Sequence, residues 1–373
     1  MNIKNPFPIT GYISPEYFCD REEETQKIIS AIANNRNLTL LSLRRMGKTG
    51  LIKHVFHHLE SEKEYRLLYF DILSTTNTAD FVREFSKVIL LDERKYSSNF
   101  FKKLLSFLTG IRAKIVFDNL TGAPEIEFDY QNNIEIERSI EAIFEYIGSQ
   151  KTDYVIAIDE FQQIVNYPEK NLEALLRTHV QQRNNVHFIF SGSNKHLLLS
   201  MFSDYGRPFY QSSEIMYLNR LDKDIYADFI MEKFTKVGKN MDRNLVLEML
   251  NQLHIYTFYV QYFFNRLFEI SSKNIDNALV TKVMENILLE RDYTYINYRN
   301  LLTTQQFNLL KAIAKEENIQ QINSQVFLKK YNLGSASTVN RAIKALIDKE
   351  MVYEESSIYR VYDVFFEKWL QRL

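Results

Sequence analysis

Apolar positions along this chain follow two rhythms, and the changes from one to the other mark its parts. Across residues 20–34 they recur at helical spacing, with Ile28, Ile29 and Ile32 behind an acidic first turn and Asp20 as candidate N-cap. Residues 38–43 are a short, nearly continuous apolar run, the pattern of a strand buried on both faces. A polar turn separates it from a helical stretch over 49–60. Residues 65–72, 154–158 and 186–190 repeat the strand pattern. The first leads through a polar segment to a helix over 79–91, the second ends in Asp159-Glu160, and the third ends in Ser191-Gly192-Ser193. Strands alternating with helices over roughly 200 residues predict an α/β domain with a mostly parallel sheet covered on both faces. Near 113–130, apolar and polar residues alternate on both sides of Thr121-Gly122-Ala123-Pro124, which predicts an inserted β-hairpin decorating that sheet.

After Arg220 the pattern turns helical, with Tyr226, Phe229, Ile230 and Phe234 on one face and Leu245, Leu247, Met249 and Leu250 further on. The last stretch predicts helices over 304–315, 324–331 and 335–349, then a two-strand wing over 351–364, the order of a winged helix-turn-helix. With 373 residues the chain exceeds what one core usually supports. The expected division is an α/β core over 1–219, a helical lid over 220–295 and a winged helix over 296–373.

Composition narrows the function classes. The formal net charge of -1 provides no chain-wide field that would draw in nucleic acid or an anionic membrane, so any such surface is local. The lone Cys19 excludes an intramolecular disulfide and a cysteine zinc cage. The first residues lack the basic start and apolar run of a secretory signal, and no stretch reaches the ~18 apolar residues of a membrane span; the expectation is a cytoplasmic protein with no membrane partner. The seven histidines show no ligand spacing, and His54, His57 and His58 read as solvated or half-buried positions on the helix after the polar turn.

Candidate chemistry concentrates at Ser42-Leu43-Arg44-Arg45-Met46-Gly47-Lys48-Thr49. This segment fits the phosphate-binding loop G-x-x-x-x-G-K-[ST] except that Ser42 stands at the first glycine. Gly47 allows the backbone to approach phosphate oxygens, and the N–H groups opening the next helix present a nest and a positive dipole end. Lys48 is expected to reach the β and γ phosphates and Thr49 to hold Mg2+. With only ten glycines in the chain, a chance match is improbable, and the surrounding strand, loop and helix are the context this motif requires. About 110 residues downstream, a strand delivers Asp159 and Glu160 at its C-terminal edge, where such sheets bind ligands. Asp159 suits Mg2+, partly through water, and Glu160 suits orienting or deprotonating the attacking water. A strand ending in two carboxylates is otherwise an ordinary solvated strand end. Ser193 is either a sensor of the γ phosphate or part of a plain strand-to-helix turn, and Arg207 is either an arginine finger or sensor, or half of a surface salt bridge.

These residues resemble the archaeal-type ATPases, AAA+-related P-loop proteins of the signal-transduction class called STAND. Tyr17-Phe18-Cys19-Asp20-Arg21-Glu22 is similar to the family's opening box, which implies Phe18 and Arg21 near the nucleotide. Arg44 to Thr49 resembles its arginine-rich loop, implying Ser42, Arg44, Arg45, Met46, Gly47, Lys48, Thr49 and Gly50 around ATP or ADP. Ile158-Asp159-Glu160-Phe161-Gln162, Phe190-Ser191-Gly192-Ser193 and Gly206-Arg207-Pro208-Phe209-Tyr210 resemble later signatures, and Tyr362 to Leu370 resembles the closing helix. At the lid the pattern departs: the usual Gly-x-Pro turn is replaced by His254-Ile255-Tyr256-Thr257, so no lid residue is carried over to the nucleotide.

The resemblance implies a Mg2+-dependent ATPase whose nucleotide state controls placement of the lid and winged helix, with an unidentified protein partner at one of these modules and oligomer formation open. The alternative is a DNA-binding, initiator-like ATPase reading a groove with Thr338, Asn340, Arg341 and Lys344. Residues 303–373 carry ten Lys/Arg against eight Asp/Glu, a charge of +2, which is a weak phosphate footprint and favours protein docking. A third reading keeps nucleotide as a folding ligand without turnover.

Overall fold

Four of the apolar runs and one further strand form one parallel sheet in the computed structural model, which describes residues 5–62, 64–93, 106, 113–117 and 124–373. In chain order the elements of this part are α1 (Glu22–Ala33), β1 (Leu38–Leu41), α2 (Lys48–Glu62), β2 (Tyr65–Asp71), α3 (Thr78–Glu93), β3 (Ala113–Phe117) and β4 (Pro124–Phe128). There follow α4 (Asn133–Gly148), β5 (Asp153–Asp159), α5 (Leu172–Gln182), β6 (Val186–Gly192), α6 (Lys195–Ser203) and β7 (Glu214–Tyr217). The strand order is β2-β5-β6-β1-β7. All four pairings are parallel. β1 and β6 are buried along their whole length and β5 at all but its first residue, as continuous apolar runs covered by helices require. The abundant phenylalanines fill that core: Phe70 stacks on Phe85 at 5.1 Å, and Phe161, Phe190, Phe202 and Phe209 cluster at 4.5–6.0 Å. β3 and β4 pair antiparallel as a separate two-stranded sheet; the turn expected at 121–124 lies outside the described residues up to 123.

At the start of α1 the backbone, not a side chain, sets the boundary. Arg21 rather than Asp20 is the N-cap, and both residues adopt left-handed φ, 70° and 55°, without a side-chain cap. Three consecutive glutamates in the first turn still complement the helix dipole. The strand β7, a helix over 133–148 and a helix over 172–182 were not expected from the apolar rhythm. β7 is a four-residue edge strand with no buried position, which leaves little periodic signal.

The chain forms two units, Thr10–Leu221 and a second that takes Asp222–Leu373 together with the described residues before Thr10. The second is helical: α7 (Lys223–Thr235), β8 (Asn240–Met241), α8 (Arg243–Gln252), α9 (Thr257–Ile270), β9 (Asn274–Ile275), α10 (Asn277–Asn300), α11 (Thr304–Glu316), α12 (Gln325–Lys330), α13 (Ala336–Asp348), β10 (Val352–Glu355), β11 (Ile358–Val361) and α14 (Val364–Gln371). Its helix starts are written in the sequence. Asp222, Asp242, Asp276, Thr303, Ser324, Ser335 and Asp363 each accept a backbone N–H from the first turn, and Thr303 forms a capping box with Gln306. Two observations bear on the expected boundaries. Phe7, fully buried, packs against Phe234, Phe264 and Phe268, so the described residues around it pack with the helical unit. The boundary at 295–296 falls inside the 24-residue α10, where no Gly or Pro interrupts the helix. Trp369 Nε1 on α14 donates to Asp292 at 2.7 Å and Phe366 packs on Tyr295 at 4.9 Å, so lid and winged helix share one packed unit. Among the described residues no helix is long and apolar enough to cross a membrane.

Candidate functional site

β6 lies between β1 and β5, and the C-terminal ends of these three strands bring distant motifs to one edge of the sheet. β1 runs into the loop 42–47. Ser42, at the expected first glycine, is 3% exposed and donates its hydroxyl to Leu43 O at 2.8 Å. Arg45 and Gly47 take left-handed φ of 71° and 90°, and the chain then enters α2 directly at Lys48. The loop therefore presents the open first-turn N–H groups of a helix. Gly50 packs closely on Phe18, since a Cβ there would sit 3.4 Å from its ring. Met46 is buried.

Lys48 is 7% exposed, and its Nζ meets Leu43 O at 3.5 Å. Burial lowers its pKa, Asp159 and Glu160 oppose that shift, and Arg44 adds to it. A buried cation held beside a loop of backbone donors is an arrangement that an anion completes.

Asp159 is the hub of the carboxylate side. Its Oδ2 accepts from Thr49 Oγ1 at 2.8 Å and Tyr69 OH at 2.9 Å, and its Oδ1 from Ser191 Oγ at 2.5 Å and Glu160 N at 3.1 Å. The Thr49–Asp159 bond joins the loop helix to β5 across 110 residues. The separation of these two hard oxygens is close to the ~3 Å octahedron edge that Mg2+ needs with ligands at about 2.1 Å, so the pair fits Mg2+. Asp71 faces Asp159 across the β2–β5 ladder, and burial, with Asp159 and Glu160 adding to it, raises its pKa above the usual carboxylate range.

Glu160 stands at φ 57°, a left-handed position that a glutamate seldom adopts. Its Oε2 accepts from Ser193 N at 3.1 Å, Ser193 Oγ at 2.7 Å and Gln162 Nε2 at 2.6 Å, and Arg44 Nε donates to Ser193 Oγ at 3.1 Å. The loop, the carboxylate and the Ser193 strand end are thus one hydrogen-bonded chain. Gly192 is closely approached: an added Cβ would lie 1.9 Å from Gln162 Oε1 and 3.2 Å from Leu198 Cδ2, so the Gln162 side chain would have to move. Gly192→Ala is expected to lower folding stability by about 1–3 kcal/mol through overpacking, read from its denaturation midpoint; an unchanged midpoint would show that Gln162 yields freely.

Two further expected residues are engaged by protein partners. Arg21, 4% exposed, donates to Glu24 at 2.6 Å and to Asn219 O at 2.6 Å, which engages its guanidinium at the base of α1. Arg207 pairs with Glu173 on α5 at 2.8 Å, the salt-bridge alternative. Burial raises the pKa of Glu173 and Arg207 counters it. Tyr69, Ser191 and Gln162 escaped the sequence reading as partners of the carboxylates. Gln162 and Ser191 stand inside segments that resemble the family's signatures, whereas Tyr69 signals itself only as a hydroxyl in an apolar strand.

The family model described as an ATPase domain predominantly from Archaea matches residues 18–251, and one described as a probable winged helix domain matches 293–372. Among solved structures, the chain is similar to a Walker-type ATPase of Pyrococcus abyssi, with 19% identity over 99% of this chain and 100% of that one and a TM-score of 0.64. It is also similar to the Aeropyrum pernix ORC2 protein, solved in ADPNP and ADP complexes (14% identity, 100% and 98% covered, TM-score 0.56). The ORC1 protein of that organism, solved in complex with DNA, is similar as well (14%, 99% and 96% covered, TM-score 0.54). At these identities the likeness carries the fold alone. No curated protein matches the chain. A phosphate loop joined to a strand-end carboxylate on a parallel sheet, followed by a winged helix, and a family match over most of the chain lead to one conclusion: the protein belongs to the P-loop ATPase family whose ATPase domain is found predominantly in Archaea.

Proposed function

We propose that this protein binds ATP with Mg2+ at residues 42–50, hydrolyses it through Glu160, and uses the nucleotide state to set the placement of its helical and winged-helix unit. The observation that carries the reading is the Thr49–Asp159 hydrogen bond, which puts a hydroxyl and a carboxylate oxygen together at the mouth of the phosphate loop with Glu160 one residue on. Loop N–H groups and Lys48 bind the phosphates, with Arg44 and Arg45 adding positive charge around them. Thr49 and Asp159 hold Mg2+, which when bound neutralises phosphate charge. Glu160 accepts a proton from the attacking water, and Ser193 and Gln162 hold its carboxylate in register. Phe18, beside Gly50, borders the site. Arg207 serves as a catalytic cation only if it leaves Glu173. ATP titration with and without Mg2+ tests the reading: wild type is expected to bind more tightly with Mg2+, and Asp159→Asn to lose about 10-fold or more of that gain. Equal Mg2+ dependence in the two proteins would remove Asp159 from the metal site.

A second reading, DNA binding, is favoured by the exposure of Asn340, Arg341 and Lys344 along α13, the third helix of the winged-helix motif. In a low-salt gel shift, Arg341→Ala with Lys344→Ala is expected to weaken duplex binding about 10-fold or more. No duplex binding by the wild type would leave protein docking as the role of this helix.

A further inference from the structure

On α2, His54 and His58 stand four residues apart and share one helix face. Their Nε2 atoms are 3.2 Å apart and their rings meet edge to face, centroids 4.7 Å apart at 82°. Two imidazole nitrogens on neighbouring vertices of a tetrahedral zinc centre, each ~2.0–2.1 Å from the metal, are separated by ~3.3 Å. The pair therefore already has the spacing of two metal ligands.

The surroundings of His54 favour the same role. Its Nδ1 lies 3.0 Å from the Tyr12 hydroxyl, and Phe18 stacks on the ring at 4.2 Å and 20°. When Nδ1–H donates to Tyr12, the Nε2 lone pair faces His58, which is how metal-binding histidines are oriented by a partner on their other nitrogen. His54 is nearly buried while His58 is exposed, leaving one rigid and one accessible ligand. His57 is the internal control: its ring centroid lies 6.2 Å from that of His58.

We propose that His54 and His58 form a two-histidine site for a divalent transition-metal ion of the zinc type, its remaining positions filled by water. Among the described residues no group of three or more His, Cys, Asp and Glu forms a metal cage. The site is accordingly open and exchangeable, with half the ligands of a structural zinc centre and a Kd on the order of 1–100 µM. It stands on α2, the helix that starts with Lys48 and Thr49, but does not depend on the nucleotide reading.

The test uses the full chain free of nucleotide and Mg2+, titrated with Zn2+ by calorimetry and with Co2+ by visible absorption. One ion per chain is expected. His58→Ala, an exposed change that spares the fold, should weaken binding about 10-fold or more, while His57→Ala should stay within about 2-fold. Loss of the tetrahedral Co2+ band in His58→Ala would place the ion at this pair. No Zn2+ bound below about 1 mM would overturn the proposal and leave an imidazole–imidazole hydrogen bond. Equal loss in His57→Ala and His58→Ala would also overturn it, because scattered surface histidines would then be the ligands.

Discussion

Lys48→Ala is expected to weaken ATP binding by about 100-fold or more, because it removes the buried cation of the loop. Truncating one partner of a buried, charge-assisted contact costs about 2–5 kcal/mol, and each 1.4 kcal/mol is tenfold in affinity. The substitution also leaves Asp159 and Glu160 without the cation that offsets them, since both interact with the Lys48 charge. A lower melting temperature is therefore expected without nucleotide, and affinity should be compared at a temperature where circular dichroism shows the variant folded. Affinity within twofold of wild type would remove Lys48 from the nucleotide site.

Glu160→Gln is expected to retain ATP while slowing phosphate release by about 10²–10⁴-fold, the usual contribution of a positioned general base. The amide oxygen can still accept from Ser193, so the hydrogen-bonded chain from Arg44 survives and the loss isolates proton acceptance. Similar phosphate release in wild type and variant would favour a site that binds nucleotide without turnover. The opposite split, ATP lost together with turnover, would mark Glu160 as a structural support of the loop.

Much of this site was legible because its parts are short and local. Gly47-Lys48-Thr49 between an apolar run and a helix, and Asp159-Glu160 at the end of another run, need only their neighbours in sequence to be recognised. The winged helix was legible for the same reason, with Ser324 and Ser335 marking helix starts. Arg207 shows the limit. A lone arginine carries no address in the sequence, and its pairing with Glu173 depends on where α5 runs. The histidines of α2 show a different limit: they were read as solvated or half-buried positions, because the 3.2 Å approach of two nitrogens depends on rotamers set by Tyr12 and Phe18.

The sequence by itself determined the strands β1, β2, β5 and β6, the loop, the acidic strand end and the helices of the winged-helix motif, because hydrophobic period and capping chemistry act over a few residues. The tertiary structure alone decided that β6 separates β1 from β5, so that Ser191 reaches Asp159 and Ser193 reaches Glu160. It alone decided that Tyr69 donates to Asp159 and that Phe7 joins the helical unit. These contacts link residues 32 to more than 200 positions apart, and they follow from strand order and core packing, which no local pattern encodes.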